Sequence, residues 1–119
     1  MSARVLIAED NLFFLSRLES SLRAAGWEPA VITTAEALDE ELEAGAEMLL
    51  VGMASARIDW RSLVARARSR QGDDWPVVGY GPHVQASLPK EGREAGCTAF
   101  VANGKIAEDA PRVVRKYTR

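Results

Sequence analysis

Histidine and cysteine are almost absent from this chain, one of each in 119 residues, and that scarcity removes several chemistries at once. A single thiol, Cys97, forms no internal disulfide. One Cys and one His cannot complete a tetrahedral zinc site. A nucleophilic thiol needs a nearby base or positive site to become thiolate. His83 is distant in sequence and has no third residue to orient it, so Cys97, in Ala95-Gly96-Cys97-Thr98-Ala99, reads as a filler at the mouth of a strand. No apolar run approaches the ~20 residues that cross a bilayer. Met1 to Ala8 runs into an acidic pair too soon for a signal peptide. A cytoplasmic protein without a membrane partner is expected. Aromatics are only 7% of residues. The basic half lacks interleaved aromatics and any nucleic-acid module, so no nucleic-acid partner is expected either.

What is present is ordinary for one globular domain spanning residues 1–119. Apolar residues make up 47% and charged residues 27%. The net charge is −2 but unevenly placed: residues 1–50 carry −7 and residues 51–119 carry +5. Such asymmetry is compatible with a polar binding face, although helices with differently charged solvated faces produce it equally.

Apolar runs and helical periodicities alternate along the chain, the mark of a parallel sheet covered by helices. Val5-Leu6-Ile7-Ala8 reads as a strand buried on both faces. A helix follows from about Asn11 to Ala25, closed by Gly26, with Phe14, Leu15, Leu18, Leu22 and Ala25 on its core stripe. Pro29–Thr33 is the second strand, and Thr34 caps an acidic helix to about Ala44. Met48–Val51 is the third strand. Asp59 caps a helix to about Arg70 with Trp60, Leu63, Val64 and Ala67 inward. Pro76–Tyr80 is the fourth strand. Pro82 and Pro89 then predict a short or distorted helix ending at Gly96. Thr98–Val101 is the fifth strand, and a last helix starts near Asp109 with Pro111 in its first turn. The expected architecture is α/β, a flavodoxin-like (βα)5 three-layer sandwich with five parallel strands in the order 2-1-3-4-5, five helices and right-handed crossovers.

Function in such sheets collects at the carboxyl ends of the strands. Those ends carry Glu9 and Asp10, then Thr33, Gly52, Gly81 and Asn103. Two adjacent carboxylates suit a hard cation such as Mg²⁺. With Arg4-Val5-Leu6-Ile7-Ala8-Glu9-Asp10-Asn11 as an opening strand and acidic pair, Pro76-Val77-Val78 as the fourth strand and Gly96 to Val101 approaching the fifth, the whole chain resembles a receiver domain of two-component response regulators.

That resemblance implies a third carboxylate, an aspartate ending the third strand that accepts a phosphoryl group with the help of Mg²⁺. Gly52 stands there. The family's Thr or Ser at the end of the fourth strand is Gly81, and its lysine at the end of the fifth is Asn103, with Lys105 two residues beyond. The aromatic switch position is kept as Phe100. No Asp or Glu occurs from Met48 to Ile58, so a slip in the alignment cannot supply the acceptor. The resemblance is therefore to a degenerate receiver, a pseudo-receiver. Glu9 and Asp10 then read either as a weak Mg²⁺ site or as an acidic turn favoured at a helix start; the turn is the preferred reading, and no cofactor is expected.

Two surfaces are candidates for contact. Phe13 falls outside the core stripe of the first helix and is either an ordinary exposed aromatic or an anchor for a partner or second copy. Tyr80 and His83, with Phe100 across from them, lie on the side that receivers commonly use for dimers and outputs. The leading expectation is a stand-alone, non-enzymatic module that docks onto another signalling protein, or onto itself as a homodimer, independently of phosphorylation. The alternatives are a receiver phosphorylated at an unusual residue, Asp59 or Ser55, and a small enzyme or ligand binder on a flavodoxin-like sheet. The last lacks a glycine-rich phosphate cradle, since Asp10-Asn11-Leu12-Phe13 stands after the first strand.

Overall fold

Side-chain alternation along the central strands divides the apolar residues into two layers. The computed structural model describes residues 3–118. Its strands are β1 (Arg4–Ala8), β2 (Glu28–Val31), β3 (Met48–Gly52), β4 (Val77–Gly81) and β5 (Ala99–Ala102). The helices are α1 (Leu12–Ala24), α2 (Ala35–Ala44), α3 (Trp60–Gln71), α4 (Leu88–Ala95), α5 (Asn103–Glu108) and α6 (Ala110–Tyr117). All neighbouring strands pair in parallel, in the order β2-β1-β3-β4-β5.

Leu6, Ala8, Leu49 and Val51 pack beneath α2, α3 and α4 with Leu38, Leu63 and Leu88. Val5, Ile7, Met48 and Leu50 face the other way, onto Leu15, Leu18 and Leu22 of α1, Ile106 of α5 and Val114 of α6. Every residue of β3 and β4 is buried, which is why both read as unbroken apolar runs.

Local signals explain most boundaries. The Asn11 side chain accepts from Phe14 N–H, Thr34 from Ala37 N–H and Asp59 from Ser62 N–H, each satisfying an orphan donor at a helix start. Gly26, past the end of α1, has φ +92°, a conformation that L side chains rarely adopt. Trp60, Leu63, Val64 and Ala67 are buried as their spacing predicts.

Four expectations need correction. The chain after β5 forms two helices rather than one. α5 starts directly at Asn103, and Asp109, at φ −155°, breaks it and caps α6 by accepting from Arg112 N–H. Ala25 is exposed, because the helix ends before it. β2 starts one residue earlier than expected and ends at Val31, leaving Thr33 in the connection to α2. Tyr80 does not belong to a surface: it is 1% exposed.

The uneven charge is partly paired internally. Arg66 of α3 binds Asp39 of α2 through two hydrogen bonds of 2.9 and 2.5 Å, and Arg70 lies 3.6 Å from the same carboxylate. Acidic α2 and basic α3 are thus neighbours, and part of the asymmetry is a helix–helix contact.

Candidate functional site: an acidic cleft at the carboxyl edge of the sheet

Parallel strands deliver their carboxyl ends to one edge, and a cleft of about 220 Å³ lies there, lined in part by Glu9, Asp10, Gly52, Ser55, Tyr80 and Asn103. β1 delivers Glu9 and Asp10, β3 ends in Gly52, and Asn103 starts α5 directly after β5. Four of the residues expected in the pocket therefore meet. Gly81 does not join them. A Cβ on Gly81 would lie 2.6 Å from Leu88 Cδ1 and 3.6 Å from the Phe100 ring, so its surroundings are apolar.

Both carboxylates are already engaged. Glu9 Oε2 accepts from the backbone N–H groups of Asp10 (3.2 Å) and Asn11 (3.0 Å). Glu9 Oε1 accepts from the Tyr80 hydroxyl at 2.6 Å. Asp10 Oδ2 accepts from the Ser55 hydroxyl at 2.8 Å. Ser55 Oγ in turn accepts from the N–H groups of Arg57 and Ile58, both at 3.1 Å, so the serine orders the loop between β3 and α3.

Tyr80 is the residue that decides the shape of the cleft. Its ring is stacked on Phe14 with centroids 5.4 Å apart and planes at 27°. Burial, reinforced by the charge and hydrogen bond of Glu9, pushes its hydroxyl far above the ordinary tyrosine range, so it remains a proton donor. Register places Tyr80 beside Gly52. The space that a side chain at 52 would enter is already taken: an added Cβ would lie 2.7 Å from Glu9 Oε1, 3.1 Å from the Tyr80 hydroxyl and 3.3 Å from the Ala8 carbonyl.

The remaining candidates lie elsewhere. Phe13 is 92% exposed beside Leu12 at 75%, as its position off the core stripe predicts. His83 is exposed in the β4–α4 connection, followed by Val84 at 77%. Lys105 does not line the cleft; with Phe100 it lines a separate groove of about 880 Å³ beside α6. Asp59 is exposed and bound to Ser62, whose hydroxyl and N–H hold its carboxyl below the usual range. Cys97 is buried, and burial pushes its thiol up to about 11, which keeps it un-ionised near neutral pH.

Two residues of the cleft play roles that the sequence alone does not reveal. The sequence offers Ser55 only as a phosphoryl acceptor and Tyr80 only as part of a surface. Tyr80 is the direct register partner of Gly52, a large side chain beside a residue that has none.

Mg²⁺ requires an oxygen donor set with room for several waters. Among the described residues no group of three or more His, Cys, Asp or Glu is arranged to hold a metal ion. Glu9 Oε1 and Asp10 Oδ2 each already hold a protein hydroxyl, so a cation taking either of those oxygens would compete with it.

No family model and no curated protein sequence matches the chain. Solved structures do. A chemotaxis protein of Vibrio cholerae superposes with a TM-score of 0.83 at 17% identity, covering 98% of this chain and 99% of that one. The receiver domain of a sensor histidine kinase from Pseudomonas aeruginosa, solved with a magnesium ion coordinated in its active-site cleft, gives 0.81 at 16% identity and 98% coverage of both chains. A response regulator of Burkholderia multivorans gives 0.66 at 22% identity, with 91% of each chain covered. The fold is that of response-regulator receiver domains, the flavodoxin-like sandwich expected from the alternation of strands and helices.

Proposed function

We propose that this chain is a receiver-like module of two-component signalling that works by docking onto another signalling protein, without an aspartyl phosphate and without catalysis. One observation carries the reading: the position where the resemblance calls for the acceptor is Gly52, and Tyr80 and Glu9 fill the space beside it. A phosphoryl acceptor needs a nucleophilic oxygen facing an open, cation-bearing site. Neither hydroxyl at this cleft meets that need, since both already donate to carboxylates.

Docking would be a matter of fixed surface. Phe13 and Leu12, exposed together on the first turn of α1, have the chemistry of an apolar anchor. His83 and Val84 form a second exposed pair beyond β4. A second copy of the chain is one partner that either pair could meet. The fold has no evident use for a membrane or a nucleic acid, and a cytoplasmic setting suits the signalling role.

Intact-protein mass after incubation with acetyl phosphate and MgCl₂ tests the reading, with a receiver that bears the acceptor aspartate as positive control. The expected mass is unchanged. A stable phosphoryl adduct would overturn it, and its position, Asp59 or Ser55 above all, would identify the acceptor.

A further inference from the structure

We infer that the Tyr80 and Ser55 hydroxyls are a built-in replacement for a cation at Glu9 and Asp10, a pair of hydrogen bonds that holds the cleft in one closed arrangement. The inference concerns the cleft alone and stands whether or not the docking reading holds.

The argument starts from electrostatics. Adjacent carboxylates at the edge of an apolar sheet repel each other and lose hydration, a cost that a divalent cation ordinarily offsets. Here each accepts a hydrogen bond from a hydroxyl instead. Tyr80 reaches Glu9 from β4 at 2.6 Å, and Ser55 reaches Asp10 from the β3–α3 loop at 2.8 Å. Hydrogen bonds to ionised acceptors are about twice as strong as neutral ones. These two tie β1 to β4 and to the loop after β3.

The geometry leaves the hydroxyls little freedom to withdraw. Stacking on Phe14 and near-complete burial fix the Tyr80 ring, so its Oη cannot swing away from Glu9 without moving α1. Ser55 is held from behind by the N–H groups of Arg57 and Ile58. A cation taking Glu9 Oε1 and Asp10 Oδ2 would have to displace donors that the fold itself positions.

Removing a donor should therefore turn an ion-indifferent protein into an ion-sensitive one. The experiment is thermal unfolding of the full chain and of Tyr80→Phe, with and without millimolar MgCl₂, against NaCl at matched ionic strength so that general screening is subtracted. The wild-type Tm should not respond to Mg²⁺. Tyr80→Phe should melt about 5 °C lower without the ion, and Mg²⁺ should restore part of that loss while shifting the amide resonances of Asp10 and Asn11. A purely structural tyrosine would lower the Tm with no dependence on Mg²⁺, and that result overturns the inference. So does a wild-type Tm that rises with Mg²⁺. Should Tyr80→Phe fail to fold, Ser55→Ala frees Asp10 from a half-buried loop position and carries the same test with the same two outcomes. Mg²⁺ binding by the wild type without a phosphoryl adduct would sink the replacement idea and leave the proposed function in place.

Discussion

Gly52→Asp should destabilise the protein severely rather than equip it with an acceptor. The position is the buried last residue of β3, and its Cβ alone would come within 2.7 Å of Glu9 Oε1. Glu9 is the flexible partner in that clash, but it is tethered by two backbone N–H groups and by Tyr80. The Ala8 carbonyl at 3.3 Å is backbone, so the few tenths of an ångström it must give are taken from β1. The new carboxylate would meet a like charge with no cation between them. An uncompensated buried charge costs about 3–5 kcal/mol, a large part of the ~5–15 kcal/mol that holds a domain of this size together. Urea unfolding followed by circular dichroism should show that loss, or no folded baseline at all. A Gly52→Asp protein as stable as the wild type would show that the cleft is open after all.

Tyr80→Ala should lose a similar amount for a different reason. The ring is one of the largest fully buried side chains, and truncating a buried aromatic costs about 3–5 kcal/mol through lost transfer energy and the cavity left behind. Phe14 loses its stacking partner, worth about 0.5–1.5 kcal/mol of that total. Glu9 loses its hydroxyl donor as well. The two substitutions touch the same space, so they should not add. Removing the ring makes room for an aspartate at 52, and the double variant should be less destabilised than the sum of the singles by at least about 1 kcal/mol. Additive losses would mean that Tyr80 and the side chain at 52 do not compete for one site.

How much of this was legible beforehand depends on the residue. The order of elements follows from apolar runs alternating with helical spacing, and Thr34 and Asp59 cap the helices that their positions predict. Strand ends are fixed by parallel topology, so Glu9, Asp10, Gly52 and Asn103 could be gathered in advance. The direction of Tyr80 could not. β4 is buried on both faces, and an unbroken apolar run gives no alternation from which to read which way a side chain points. Ser55 acts through the closure of a loop that no periodicity describes. The split between α5 and α6 was hidden for a related reason: α5 is six residues long, buries only Ile106 and has no side-chain cap to announce it.

The most direct test of a cleft closed from within is the amide spectrum of the ¹⁵N-labelled chain before and after Mg²⁺ and beryllium fluoride, which together mimic an aspartyl phosphate in its metal site. The closed cleft predicts that the resonances of Asp10, Asn11, Gly52, Ser55 and Tyr80 stay where they are while an acceptor-bearing receiver shifts under the same conditions. Saturable shifts confined to those residues would contradict it, because they would place an ion where the Tyr80 and Ser55 hydroxyls now stand.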